Sequence, residues 1–250
     1  MLKECRIEGT NLYLPKQLGR DLYGAVLKAL KPTGAKWVGG KTQAIVFADL
    51  ADLAHVDAII NGGSQNPAKD YQFFPTPDAL GDYLVDLITA DLEEGDRVLE
   101  PSAGDGALIK AFWRKFPEHS VEAFELWERN QRKLRQLESE EGARVHLVGE
   151  DFLAADPADY PKYKLILANP PFAQNQDIRH VRHMLKFLAP GGQLVTIMSR
   201  HWHFASDALS ESWKSLVKGA SKFIICEDIE AGSFTESGTQ VATCLIVFYG

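Results

Sequence analysis

Four consecutive residues of this 250-residue chain, Asn169, Pro170, Pro171 and Phe172, combine groups suited to chemistry at an amino nitrogen. Two prolines fix the backbone and remove two N–H donors. The Asn169 side chain and the neighbouring carbonyls can then converge as acceptors, while Phe172 offers a flat face to a planar ring. A plain turn needs neither the Asn before the prolines nor the aromatic after them. Upstream, Glu100-Pro101-Ser102-Ala103-Gly104-Asp105-Gly106 sets an acid before a glycine-containing turn. Glycines allow backbone to approach a ligand closely, and a helix start behind them would present free N–H groups. A phosphate cradle uses the same backbone, but Glu100 beside the loop opposes pyrophosphate and favours a cationic or hydroxyl-rich ligand end. Glu125 can accept from both hydroxyls of a ribose. Asp151 can accept from an adenine amino group with Phe152 against the ring, or it can simply cap the next segment. Before a periodic apolar stretch, Thr76 or Asp78 can cap a helix whose first turn suits Pro77.

Apart from Thr76 to Asp78, each of these groups stands at the end of a segment that reads as a strand. Arg97–Glu100, Val121–Glu125, Val145–Val148, Leu165–Ala168, Gln193–Met198, Phe223–Glu227 and Val241–Tyr249 are apolar enough to be strands. Helical spacing predicts helices over about 78–90, 107–116, 128–138, 176–188 and 207–218. Alternating strands and helices imply an α/β fold with a mostly parallel, seven-stranded sheet covered on both faces. The last strand follows its predecessor without a helix and is expected to be antiparallel. Ligands of such sheets bind beyond the strand carboxyl ends, so the loops after 100, 125, 148 and 168 are the places for chemistry. Residues 11–59 form a smaller αβ-like unit, with strands Asn11–Leu14 and Ala44–Ala48 and a helix over Lys16–Leu30. Asn61-Gly62-Gly63-Ser64-Gln65-Asn66-Pro67 reads as the linker, giving domains 1–66 and 67–250.

The chain carries 27 basic and 34 acidic residues, a formal charge of -7. That balance argues against a polyanionic partner until it is resolved along the chain. Residues 1–45 hold 8 basic and 3 acidic side chains, and residues 170–222 hold 7 and 3. Residues 73–169 hold 11 and 20. Basic surfaces thus flank an acidic middle, an arrangement that either reflects ordinary solvated faces or receives a polyanion. Cys5, Cys226 and Cys244 make neither a CxxC pair nor a zinc spacing. With no secretory leader or membrane-length apolar run, a reduced, cytoplasmic protein is expected. His180/His183 and His201/His203 lack a third ligand at a recognised spacing, so no metal is expected and these histidines read as solvated.

Taken together, residues 73–250 resemble the class I S-adenosylmethionine-dependent methyltransferases, with their Rossmann-like sheet. More narrowly they look like the branch that methylates N6 of adenine in DNA. The resemblance implies that Phe74-Pro75-Thr76 helps hold the methionine end of the cofactor. It likewise implies that Glu100, Pro101, Ser102, Ala103, Gly104 and Gly106 form the cofactor loop. Glu125 matches the ribose-binding acid, Asp151-Phe152 the adenine-binding pair and Asn169-Pro170-Pro171-Phe172 the catalytic tetrapeptide. Gly232–Gln240 resembles the loop before the final hairpin. In such a fold Trp202 and Phe204 lie near the site and either line a pocket for a flipped base or pack as ordinary apolar residues. Arg179, Arg200, Lys36 and Lys41 are candidates for phosphate contacts, together with Lys16, Arg20, Lys28, Lys31 and Arg182. DNA stands ahead of RNA as the partner because of the Phe-Pro-Thr and final-loop patterns. Methylation of RNA amino groups or of a protein glutamine, and a silent nucleic-acid-binding module, are the alternatives. Only short segments lie between the core motifs, so either the unit at residues 1–60 takes the target-recognition role or adenine is modified with little sequence preference.

Overall fold

The computed structural model describes residues 2–30, 33–47, 52, 56, 72–140, 142, 144–219, 222–229 and 242–250, the side chains of 224–229 excepted. The expected linker, Lys31 and the Gly232–Gln240 loop lie outside the described residues. Contacts divide the chain into Met1–Phe73 and Phe74–Gly250.

The first unit holds an antiparallel sheet of order β1-β2-β4-β3, built from Arg6–Glu8, Asn11–Tyr13, Lys36–Val38 (β3) and Ala44–Val46 (β4). Helix α1, Arg20–Leu30, contributes Val26 and Leu30 to a core with Leu12, Ile45, Phe47 and Val56. The sequence pattern had indicated only β2, α1 and β4. All residues of β1 and β3 are exposed, Ile7, Trp37 and Val38 included, and three residues are too few to show an alternating pattern.

The second unit contains a seven-stranded sheet of order β10-β11-β9-β8-β5-β6-β7. Its strands are β5 Val98–Glu100, β6 Val121–Phe124, β7 Val145–Gly149, β8 Tyr163–Ala168, β9 Leu188–Ser199, β10 Phe223–Ile229 and β11 Thr243–Tyr249. β5 pairs parallel with β6 and β8, β6 with β7, and β8 with β9, whereas β11 runs antiparallel to both β9 and β10. Helices follow as α2 Asp78–Asp86, α3 Ala107–Lys115, α4 Glu128–Glu140, α5 Gln176–Phe187, α6 His201–Phe204 and α7 Ala208–Gly219.

Alternation along the strands gives each sheet face its own core. Leu165, Leu167, Val195, Ile197, Leu245 and Val247 join the apolar sides of α2, α3 and α4. Their neighbours Ile166, Ala168, Leu194, Met198, Cys244 and Ile246 join Ile178, Val181 and Met184 of α5 and Trp213 of α7. Burial on both faces explains why these strands read as continuous apolar runs. Each fully buried large side chain contributes about 1.5–3 kcal/mol.

Two polar anchors fix helices to this sheet. Gln193 of β9 donates through Nε2 to the Leu87 carbonyl (2.9 Å) and accepts at Oε1 from Thr89 N–H (2.9 Å) and Ala90 N–H (2.8 Å), closing the end of α2. Asp177, buried in the first turn of α5, accepts at Oδ2 from the Ser199 N–H and hydroxyl, both at 2.8 Å. That pair ties the helix after the Asn-Pro-Pro-Phe segment to the carboxyl end of β9. Burial raises the Asp177 pKa against the lowering effect of its hydrogen bonds.

Candidate active site at the strand carboxyl ends

Strand order reverses at β5: the chain proceeds to β6 and β7 on one side, then returns to β8 on the other. The crevice beyond the carboxyl ends of β5 and β8 is therefore the topological switch point, where α/β sheets bind ligands. Glu100 ends β5 and Asn169 follows β8 directly, so the sheet brings these two positions to neighbouring strand ends.

The loop after β5 is shaped by two left-handed glycines, Gly104 (φ 55°) and Gly106 (φ 82°). Gly106 is the N-cap of α3 and faces Leu134 and Leu137 of α4; an added Cβ would lie 3.1 Å from Leu137 Cδ2. A side chain there would be strained by both conformation and space. The loop is fastened to the end of β6 twice. Ala103 N–H donates to the Phe124 carbonyl at 2.9 Å, and Gly104 N–H donates to Glu125 Oε2 at 2.7 Å.

Glu125 is buried, and its Oε1 accepts from Trp127 N–H at 2.7 Å. Burial raises its pKa, while the bonds from Trp127 and Gly104 lower it. Each carboxylate oxygen retains a further lone pair for a hydroxyl donor. Leu126, next in the chain, is 56% exposed and places an apolar side chain beside this acid.

Glu100 is the least satisfied acid in the site. It is 2% exposed, and Oε1 accepts from Ser102 N–H (3.2 Å) and the Ser102 hydroxyl (3.3 Å). Oε2 is buried and has no hydrogen-bond partner among the described residues. Burial drives the Glu100 pKa well above the ordinary carboxylate value, with the Glu125 charge adding to the rise. A buried carboxylate with an unmet oxygen is the chemistry that a ligand ammonium group satisfies. The donor set of this crevice thus fits S-adenosylmethionine, which carries an ammonium group, a ribose diol and an adenine.

The remaining expected cofactor residues are distributed unevenly. Asp151 caps the short 3-10 turn Phe152–Ala154, accepting from Leu153 N–H at 3.0 Å through Oδ1. The Phe152 ring is 2% exposed and sits among Phe124 (centroids 5.3 Å apart), His183 (4.9 Å) and Phe187 (4.9 Å), so its faces meet protein. Phe74 and Thr76 are half-buried and Pro75 is exposed. Thr76 does not cap α2: Pro77 occupies the N-cap, which has no side-chain cap bond. Instead the Thr76 hydroxyl accepts from Asn169 Nδ2 at 3.0 Å, across 93 residues.

In the tetrapeptide, Pro170 is buried and Asn169, Pro171 and Phe172 are half-buried, with Phe172 against the core beside α2 and α3. Two non-glycine residues with left-handed backbone follow, Gln174 (φ 56°) and Asn175 (φ 58°). Asn175 Nδ2 donates to Asp207 Oδ1 at 3.1 Å. Bonds from Ser210, chiefly its hydroxyl, and from Asn175 hold the Asp207 pKa down to about 2.

The aromatic pair on α6 splits in two. Trp202 is 4% exposed and packs edge-to-face on Trp213, centroids 6.2 Å apart, whereas Phe204 is 79% exposed. The structure thus puts Trp202 in the core and leaves Phe204 free to meet a partner. Arg179 is exposed and Arg200 half-buried, and Lys36 and Lys41 are exposed within the first unit. The expectation of solvated histidines holds for exposed His201 and His203 but needs correction for His180 and His183. His180 is buried with Nδ1 2.9 Å from the Gln176 carbonyl, and His183 Nε2 lies 2.9 Å from the Ala155 carbonyl. Burial lowers both pKa values. Among the described residues no group of three His, Cys, Asp or Glu could hold a metal ion, and no helix is long and apolar enough to cross a membrane.

The sheet order, the glycine loop after β5 and the strand-end acids define a class I S-adenosylmethionine-dependent methyltransferase. S-adenosylmethionine is accordingly its cofactor. The chain belongs to the methyltransferase small domain family, which matches residues 77–227. Among solved structures it is similar to TrmN from Thermus thermophilus, at 24% identity and a TM-score of 0.50, covering 69% of this chain and 48% of that one. It is also similar to the M protein of the type I restriction enzyme EcoKI, at 15% identity and a TM-score of 0.54, covering 93% of this chain and 55% of that one. A structure from a type I R-M system gives 17% identity and a TM-score of 0.57, covering 94% and 61%. This chain thus spans about half the length of TrmN and of the EcoKI M protein. No curated protein matches it in sequence.

Proposed function

We propose that this methyltransferase acts on the exocyclic N6 amino group of adenine in DNA. The observation that carries the reading is Asn169-Pro170-Pro171-Phe172 directly beyond β8, at the switch point beside Glu100. The tetrapeptide offers acceptors and an aromatic face but no ionisable base. That set suits an amino nucleophile, which needs its hydrogens held more than it needs a strong base.

The N6 lone pair of adenine is delocalised into the ring. Asn169 Oδ1 and the Pro170 carbonyl, accepting from the two amino hydrogens, draw the nitrogen toward tetrahedral geometry. Phe172 stacks on the base, worth about 1–3 kcal/mol. S-adenosylmethionine supplies an electrophilic sulfonium methyl. The product amine is positively charged as it forms, so its proton leaves without a dedicated base, and positioning accounts for much of the rate. Glu100 takes the cofactor ammonium group, Ser102 to Gly106 wrap it, and Phe74 and Pro75 flank its methionine end. Glu125 accepts from the ribose hydroxyls. Asp151 retains Oδ2 for the cofactor adenine amino group, and exposed Leu126 gives that ring the apolar face that enclosed Phe152 does not. Within a duplex the target amino group is paired, so the base must be extruded. Exposed Phe204 is placed in the segment after β9 to contact it. Arg179 and Arg200 would hold phosphates. Residues 1–66, with Lys36 and Lys41, would add affinity for the polyanion.

The type I restriction neighbours support a modification role, and the basic segments around the acidic middle support a polyanionic substrate. The test offers labelled S-adenosylmethionine with unmethylated DNA, RNA or protein in parallel. Label in DNA, lost on Asn169→Ala and on Phe172→Ala, is expected. Label only in RNA or protein would overturn the DNA assignment, and cofactor binding without any transfer would indicate a silent module.

A further inference from the structure

We infer that Thr76 is a positioning residue that holds the Asn169 amide in place for the target amino group. This rests on the proposed amino-methylation and goes beyond it, because Thr76 is expected from the sequence as a helix cap or as a residue holding the cofactor.

An asparagine amide has an acceptor end and a donor end of nearly the same shape. Only Oδ1 can accept from an amino hydrogen. With the amide reversed, its NH2 would confront the NH2 of the substrate, donor against donor, and nothing would draw the nitrogen lone pair out of the ring. The Thr76 hydroxyl accepts from Nδ2 at 3.0 Å, which leaves Oδ1 for the substrate. A hydroxyl can donate as well as accept, so Thr76 fixes where the amide sits, and the substrate's amino hydrogens select Oδ1.

Thr76 is held well enough to serve. Its hydroxyl is not used as a helix cap, because Pro77 stands at the N-cap of α2. α2 begins at once, with Gly81 N–H donating to the Pro77 carbonyl at 2.9 Å. Gly81 lies so close to α3 that an added Cβ would sit 2.9 Å from Ala111 Cβ, and 4.0 Å from Thr76 Cγ2. Leu80, Leu84 and Val85 bury the same helix in the core. Gln193 closes its far end on β9, the strand beside β8. The acceptor for Asn169 is thus fixed by α2 and the sheet, independently of the loop that carries Asn169.

The experiment compares Thr76→Val, which keeps the shape and removes the acceptor, with Thr76→Ser, which keeps the acceptor. Both are made in the full chain and checked for an unchanged melting temperature. Cofactor Kd is measured by calorimetry, and kcat and KM on the amino substrate that the wild type modifies. We expect Thr76→Val to lower kcat by about 2- to 12-fold, the loss of one neutral hydrogen bond that aligns Asn169 in the transition state. Cofactor Kd and both KM values should stay near wild type, and Thr76→Ser should restore most of kcat. Wild-type kcat in Thr76→Val would overturn the inference. So would a loss confined to cofactor Kd, which would make Thr76 a cofactor contact, or a melting temperature lowered in parallel with kcat, which would make its role structural. The two readings fail separately. If the wild type modifies an amino group outside DNA, the proposed substrate falls while the Thr76 comparison proceeds on the actual substrate. If it modifies no amino group at all, both fall.

Discussion

Replacing Glu100 with glutamine should make the apoprotein more stable and its grip on the cofactor weaker. The two effects come from one structural fact: a carboxylate that is 2% exposed, with Oε2 unpartnered among the described residues. An unsatisfied buried acceptor costs about 1–3 kcal/mol, more when it is charged. Removing the charge should raise the apoprotein melting temperature by about 2–4 °C per kcal/mol for a domain of this size. The gain depends on pH with a definite sign. The folded pKa of Glu100 is raised above its ordinary 4.5, so its favourable contribution is present below that value and is lost as pH rises toward the folded pKa. Glu100→Gln should flatten this decline. Cofactor affinity moves the other way. A bound ammonium favours the ionised carboxylate, so wild-type affinity should increase with pH across the same window, with proton release on binding. Losing a charge-assisted hydrogen bond worth about 1.5–3 kcal/mol weakens binding about 10- to 150-fold at the alkaline end. Thermal melts and calorimetric titrations over a range of pH read both effects. A variant that is less stable without cofactor, or that binds it with wild-type affinity, would refute the assignment of Glu100 as the ammonium partner.

Two further substitutions test the frame around the site and its charge. Gly149→Ala would place a Cβ 2.3 Å from Phe124 Cε1, immediately before Glu125. It should lower stability by about 1–3 kcal/mol in denaturant melts and weaken cofactor binding with it, whereas wild-type values for both would show that the aromatic cluster yields. Changing Lys36 and Lys41 together to glutamine should weaken DNA binding without altering cofactor affinity. The slope of log affinity against log salt should fall by about 1.8 if each contacts one phosphate of a duplex, and an unchanged slope would remove both residues from the interface.

β8, β9 and β11 of the larger unit are readable because they are apolar on both faces, the shorter strands as brief apolar runs, and the helices because their buried residues recur at helical spacing. Val98, Val121, Val145 and Leu165 all begin or sit in segments of that kind. β1 and β3 of the smaller unit were not readable. Arg6–Glu8 and Lys36–Val38 are three-residue strands with every side chain exposed, formed by ladder bonds rather than by burial. Among site residues, the types that do chemistry were visible one by one: Glu100, Gly104, Glu125 and Asn169. Their long-range partners were not, since no local pattern links Thr76 to Asn169, Asp177 to Ser199 or Gln193 to the end of α2. Burial also redirects aromatic residues. Phe152 and Trp202 face protein, and the exposed apolar positions are Leu126 and Phe204, a division that composition and spacing do not encode.

The central claim is tested most directly by nucleoside analysis of unmethylated DNA after incubation with the protein and S-adenosylmethionine. N6-methyldeoxyadenosine, formed by the wild type and missing with Asn169→Ala, is the predicted result. DNA that stays unmodified while RNA or protein becomes methylated would contradict it, as would methylation at any DNA atom other than the adenine N6.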